Sequence, residues 1–319
     1  MTHDAAAGTA GAVPALPSPL AVGSALFALY AIWGSTYFGM HVALESFPPF
    51  AMGTLRFAAS GAVLYAYSRA RGAPSPTFAQ WRAGALVGTL LFAGGTGGVA
   101  FAQQSVSSGL TAVVVATMPL FAAIFALLWR QRPSLGEWIG LLVGFAGVAL
   151  LNARGEISAG GVMGVVLVLS PVSWALGSVW SRHLPQPSTA AMASATQMLC
   201  GSVAMALVAL LRGEQIVWAH ITLRACGAML YLITFGSLIG FSAYAFLLRT
   251  TRPAIATSYA YVNPAVALML GAWLGREHVD ELTVLGTCVI LSGVGIASWA
   301  ARRAAIRAAR EFAARPEAG

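Results

Sequence analysis

Residues 107–152 read SSGLTAVVVATMPLFAAIFALLWRQRPSLGEWIGLLVGFAGVALLN, and residues 252–299 read RPAIATSYAYVNPAVALMLGAWLGREHVDELTVLGTCVILSGVGIASW. Both open after a polar turn and carry one proline deep in an apolar run, Pro119 in the first and Pro264 in the second. Both then cross a short charged turn into a glycine-spaced apolar helix. Pro119 and Pro264 lie 145 positions apart; Gly140 and Gly286, Val143 and Val289, Gly147 and Gly293, and Val148 and Val294 all lie 146 apart. Towards the N-terminus, Trp33 matches Trp174 and Arg56 matches Gln197 at a shift of 141. The identities are few, but their order and nearly constant shift predict one unit of about 140 residues written twice, and such a repeat is sought before any fold is assigned.

Composition sets the environment. Of 319 residues, 58% are hydrophobic and only 9% charged, with a mean hydropathy of +0.76; a soluble domain carries about 25% charged residues. Apolar runs of about 20 residues follow one another, the length that spans a bilayer core. The chain therefore reads as an all-α integral membrane protein. Cys200, Cys226 and Cys288 fall in or beside apolar runs with no metal-ligand spacing, so they indicate neither a disulfide framework nor a metal. Residues 1–19 are rich in Ala, Gly and Pro and lack a basic leader, and they read as a disordered tail.

Ten transmembrane helices are expected: 20–44, 48–69, 82–104, 107–129, 134–152, 160–182, 188–211, 224–249, 253–275 and 279–300. Proline, glycine and charged residues punctuate them, and turns this short force neighbours to run antiparallel. The formal charge of +8 contains no lysine. With ten spans, one face of the membrane collects thirteen arginines, including the five of the 301–319 tail, and the other only Arg154, Arg212, Arg224 and Arg276. That bias places both termini in the cytoplasm and accounts for the basic balance without nucleic acid. The tail reads as a basic amphipathic segment on the anionic leaflet.

Repeat and topology combine. Units covering 20–152 and 160–300 hold five spans each, an odd number, so the second enters the bilayer upside down relative to the first. Inverted repeats are a recurrent design of secondary transporters, with substrate bound near the midplane between the halves. Proline inside apolar runs (Pro119, Pro264, Pro171) frees backbone carbonyls that lipid does not satisfy, which makes Pro119 and Pro264 candidate hinges. The run Gly94 to Gly98 reads as a cavity wall or hinge, including Thr96. Elsewhere, Gly pairs at four-residue spacing, such as Gly236 and Gly240, read as close packing.

Arg56 is the sharpest local signal, because a charge in a span is costly and no Asp or Glu lies in the interior of any expected span, Glu137, Asp280 and Glu281 falling within the first few residues of theirs. Either it pairs with an anionic substrate group by a bidentate bond, or it snorkels toward Glu45 and ties helix ends together. Gln197 stands at the repeat-equivalent position, as a hydrogen-bonding counterpart at the opposite depth. Trp33, Tyr37, Trp174, Tyr244 and Tyr259 are aromatics within spans; interface belts are their ordinary place, but Tyr259 and Asn263 share a helix face. With Met118 they are candidates to line an amphipathic pocket. His41 and His183 lie close to span ends, where interfacial hydrogen bonding is the ordinary role, and with no buried acid the chain leans away from tight proton antiport. No paired acids, metal cluster or nucleophile motif appears, which argues against an intramembrane enzyme; a channel would need a continuous selectivity lining that the spans do not display.

The chain also resembles the EamA branch of the drug/metabolite transporter superfamily over about residues 20–300. The resemblance is carried by WGSTY from Trp33, ESFPP from Glu45, LRF from Leu55, Ser108-Gly109, TMP from Thr117, SWALGS from Ser173, AIATSYAYVNP over 254–264, and GRE from Gly275. It implies an inner-membrane exporter of small metabolites such as amino acids or amphipathic drugs, with a central cavity between two inverted five-helix EamA repeats. It implies no cofactor, a small-molecule substrate and the lipid bilayer as partners, and a monomer or homodimer. Many members carry an acidic residue at the end of the third span; here Gln103 and Gln104 stand there, so a proton-carrying carboxylate is not expected at that point, and Gln103 becomes a candidate substrate contact instead.

Overall fold

Helices begin where a side chain is available to serve the first-turn amides. The computed structural model describes residues 18–129, 133–151, 161–250 and 259–313. Ser18 accepts from the Ala21 amide at the head of α1 (Pro19–Ala43), and Pro48-Pro49 opens α2 (Pro49–Ala70). Thr77 and Gln80 form a reciprocal capping box on α3 (Phe78–Gly88), which continues through a π-helical stretch, π1 (Thr89–Gly97), into α4 (Gly98–Ala102). Ser107 caps α5 (Ser108–Val115), and Pro119 sits at the start of α6 (Met118–Ala126), just past a break in the helix. α7 (Leu135–Leu151), α8 (Val162–Ser181, with Pro171 inside) and α9 (Ala190–Leu211, capped by Thr189) follow. α10 (Leu223–Tyr231) runs through a second π-helical stretch, π2 (Leu232–Ile239), into α11 (Gly240–Thr250). α12 (Tyr259–Leu274) holds Pro264, and α13 (Glu281–Ala313) closes the chain.

No strand occurs among the described residues. Among the described residues, seven helical stretches are long and apolar enough to cross a membrane, and Leu135–Leu151 and Val262–Leu274 are shorter apolar helices. α2 is long enough at 22 residues but less apolar; it is the helix that carries Arg56. Large apolar side chains stand exposed along many of the helices, with Phe27, Leu142 and Trp273 each more than two thirds exposed. Contiguous apolar surface of this extent belongs in lipid.

Residues 301–313 of the basic tail continue the last helix. α13 has 33 residues, about 50 Å at about 1.5 Å per residue, against a hydrocarbon core of about 30 Å. Arg302 and Arg303 therefore ride on a continuous extension of the last span, and the Arg303 guanidinium lies 3.8 Å from the centre of the Trp299 ring.

Lipid gives helices no hydrophobic reason to associate, so close packing through small residues holds them. α7 and α13 make the most extensive contact. A Cβ on Gly140 would stand 2.5 Å from the Gly293 carbonyl oxygen, and one on Gly147 would stand 3.1 Å from that of Gly286. Contact partners fall as numbers rise, so the two helices run antiparallel. α2 and α9 do the same, with Gly53 against Met205 and Gly61 against Leu199. α1, α5, π1, α8, α11 and α12, together with α2 and the start of α6, border the cavity described next.

Candidate functional site

Helical spacing puts Trp33, Thr36, Tyr37 and Met40 on one face of α1, and that face borders an internal cavity of about 100 Å³. α2 adds Arg56 and Phe57, and π1 adds Gly95 and Thr96. Met118 enters at the start of α6. From the second half of the chain, Ser170 and Trp174 come from α8, Phe241 from α11, and Tyr259, Asn263 and Pro264 from α12. Eight of the eleven expected contacts are thus brought together: Trp33, Tyr37, Arg56, Thr96, Met118, Trp174, Tyr259 and Asn263. Thr36 and Ser170 are polar lining residues that sequence reasoning missed; their spacing from Trp33 and Trp174 was the available signal.

The other three lie elsewhere. Gln103 is buried in the turn after α4; its Nε2 donates to the Tyr37 carbonyl (3.2 Å), and its Oε1 has no partner. Gln197 is not a counterpart of Arg56: its Nε2 donates to Gln186 Oε1 (3.2 Å), and its backbone packs against Gly88. Tyr244 stands behind the wall, 5.3 Å from the Trp33 ring and edge-on to Tyr259 at 5.8 Å. Of the hinge prolines, Pro264 borders the cavity and Pro119 does not. The Tyr261 side chain and residues 254–258 lie outside the description.

Aromatic walls are locked edge to face. Trp33 meets Tyr259 at 4.8 Å between centroids with planes at 87°, a geometry that opposes ring edge to ring face. Its Nε1 donates to the Gly236 carbonyl in π2 (3.2 Å). Trp174, the repeat-equivalent, packs on π1, where a Cβ on Gly95 would stand 2.8 Å from the indole. The neighbouring Ser173 hydroxyl donates to the Leu90 carbonyl of π1 (2.8 Å). Each tryptophan therefore abuts a π-helical stretch from the other half of the chain, and π-helical turns recur at functional sites.

Arg56 is 5% exposed, and its Nε donates to the Ser237 hydroxyl (2.9 Å). Its guanidinium lies 4.8 Å from the centre of the Phe57 ring. It does not reach toward Glu45, which pairs with Arg224 at 3.2 Å; among the described residues no carboxylate pairs with it. Asn263 is 5% exposed, and its Oδ1 has no hydrogen-bond partner among the described residues. No group of three or more His, Cys, Asp or Glu capable of holding a metal occurs among the described residues.

Two carboxylates missed by the sequence reading tie distant segments together. Glu214 accepts from the Phe50 and Ala51 amides (3.0 and 2.9 Å) at the head of α2. Glu277 accepts from the Ser108 and Gly109 amides (2.8 and 3.1 Å) at the head of α5. Both sit where a helix N-terminus favours negative charge, and their positions just past a span end gave no hint of the partner.

Comparison with known proteins places this architecture. Residues 21–153 and 162–299 each match the EamA-like transporter family. The chain is 41% identical over 271 residues to the inner membrane transporter YedA of Escherichia coli (strain K12), covering 85% of this chain and 88% of that one. It is 26% identical over 282 residues to the protein PecM of Dickeya dadantii (84% and 90% covered). A crystal structure of a 22% identical protein superposes with a TM-score of 0.62 over 90% of this chain and 99% of the other, which shows the shared fold. Two family segments covering most of its length, and a relative as close as YedA, establish that the chain belongs to the EamA-like transporter family: a membrane transporter for a small-molecule substrate, not an enzyme.

Proposed function

We propose that the protein is an inner-membrane secondary carrier that exports amino acids or other small amphipathic metabolites by alternating access at the central cavity. The observation that carries this reading is the Arg56 guanidinium, buried against an aromatic-walled cavity and paired with no carboxylate among the described residues. A charge in a span costs roughly 2.5–3.5 kcal/mol on insertion scales, and an anionic solute group offsets that cost on arrival. The unpaired Asn263 oxygen calls for an N–H or O–H donor, and Trp33, Trp174 and Tyr259 offer apolar and aromatic walls. One carboxylate, one donor and an apolar body describe an amino acid or a near relative. The cavity's volume of about 100 Å³ favours solutes of that size over drug-sized ligands, which occupy pockets of about 300–1,000 Å³.

Alternating access here means ten spans in two inverted halves, 20–152 and 160–300, with Pro119 and Pro264 as hinges, a basic 301–319 tail and both termini cytoplasmic. The glycine contacts support the inverted arrangement. Shifting Gly140 and Gly147 by 146 gives Gly286 and Gly293, so the contact of Gly140 with Gly293 maps onto that of Gly286 with Gly147, which is also made. Such reciprocity is what a two-fold axis requires.

The test is counterflow of radiolabelled amino acids in proteoliposomes. Arg56→Gln should abolish saturable flux of carboxylate solutes while leaving folded yield intact. Wild-type flux in the variant overturns the reading, and collapse of its yield would mark the arginine as structural.

A further inference from the structure

Serines and threonines inside membrane helices ordinarily donate to the carbonyl one turn back. In the segment around π2 two neighbours do so: Thr234 donates to the Leu230 carbonyl (2.7 Å) and Ser242 to that of Leu238 (2.6 Å). Ser237, between them and fully buried, makes no such bond among the described residues and instead accepts from Arg56 Nε at 2.9 Å. A side chain from the second half of the chain thus holds the only cation that borders the cavity among the described residues, which comes from the first half.

The hold is specific in direction. A guanidinium presents five N–H donors in one plane, and it can receive a carboxylate either side-on, through Nε and one Nη, or end-on, through both Nη atoms. Ser237 occupies the Nε–H. Gly236 lies against the same side, so close that a Cβ there would stand 3.0 Å from Arg56 Nη2. Phe57 covers the guanidinium, with its ring centre at 4.8 Å. Among the described residues the Nε–H is the only one of the five with a hydrogen-bond partner, so the end-on edge is left for a ligand. No other arginine among the described residues borders the cavity; a single fork of two N–H groups takes one carboxylate bidentately, and no second cation there meets the further charge of a phosphate or a dicarboxylate.

We propose that Ser237 is a positioning residue: with Gly236, it commits Arg56 to end-on recognition of a single carboxylate and so sets the preference for monocarboxylate solutes. The inference rests on Arg56 being a substrate ligand, as proposed above. π2 is what brings the two groups together. The same wide turn that offers the Gly236 carbonyl to Trp33 presents the next residue's hydroxyl to Arg56, so indole and guanidinium are aligned by consecutive residues.

The experiment measures ligand-induced thermal stabilisation of the purified full-length protein by the proteinogenic amino acids, each compared with its own carboxamide. In wild type, acids should stabilise and amides should not. Ser237→Ala should weaken acid binding about tenfold, the equivalent of one hydrogen bond of about 1.4 kcal/mol, and narrow the acid-to-amide preference. Ser237→Thr, which keeps the hydroxyl, should restore both. Ser237→Cys, a weaker acceptor of similar size, should fall between and covers the case in which the alanine variant fails to fold. A Ser237→Ala or Ser237→Cys protein with wild-type acid affinity and preference overturns the role of Ser237 while Arg56 keeps its own. A wild-type protein that ignores the difference between acid and amide, or responds to no probe, removes the Arg56 reading and this inference with it.

Discussion

Gly140→Ala adds one methyl group to the most extensive helix contact among the described residues, that of α7 with α13. The new Cβ would stand 2.5 Å from both the Ala297 amide nitrogen and the Gly293 carbonyl oxygen, where ordinary contact begins at 3.4 Å. The obstacles are backbone atoms, which cannot swing aside, so α7 and α13 must part locally by the 0.9 Å between 2.5 and 3.4 Å. A gap of about 0.5–1 Å forfeits a quarter to a half of the dispersion attraction between facing atoms, and overpacking of this kind costs about 1–3 kcal/mol. The matched control is Gly227→Ala in α10, where nothing lies within 4 Å of the added atom. There the only change is helix propensity, a gain of about 0.8–1.0 kcal/mol. Thermal unfolding in one detergent should therefore rank Gly227→Ala at or above wild type and Gly140→Ala clearly below it. Gly293→Ala enters the same contact from the other helix and should match Gly140→Ala. The double variant should lose less than the sum, since helices already parted accept the second methyl more easily. Equal melting of Gly140→Ala and Gly227→Ala would refute the claim that backbone proximity, and not side-chain burial, joins these helices.

Three further outcomes follow from the geometry. Glu277→Ala removes both acceptors at the head of α5, each bond to a charged group being worth roughly 1.5–3 kcal/mol; it should melt below Glu277→Gln, which keeps one acceptor, and the reverse order would sink the capping role. Trp33→Phe keeps the edge contact with Tyr259 but loses the bond to the Gly236 carbonyl, so it should cost about 1 kcal/mol against about 3–5 kcal/mol for Trp33→Ala. Equal losses in the two would show that ring packing contributes nothing there. Accessibility of epitope tags fused to the two ends, in intact cells and in inverted vesicles, should place both on the cytoplasmic side; tags on opposite faces rule out an even number of spans.

Much of the cavity was legible because α-helical spacing alone puts Trp33 with Tyr37, and Tyr259 with Asn263, on one face. Where spacing was the only guide it also misled. Gln197 matches Arg56 by repeat position yet turns toward Gln186, and Tyr244 falls one layer behind the indole it supports. Gly236 and Gly240 read as packing glycines, and they are, but what packs on Gly240 is the Trp33 indole and on Gly236 the Arg56 guanidinium and the Thr36 methyl group.

The amino-acid sequence by itself determined that this chain lives in a membrane and that its plan is doubled. Those properties are sums over local runs: apolar length, turn residues and a recurring shift need no knowledge of what touches what. Only the tertiary structure decided that Ser237 holds Arg56, that Glu214 and Glu277 cap helices more than 160 positions away, and that each tryptophan seats against a π-helical turn of the opposite half. A widened turn resets the facing of every residue after it, and a bond between distant segments depends on how helices pack. Neither leaves a periodic trace in the chain.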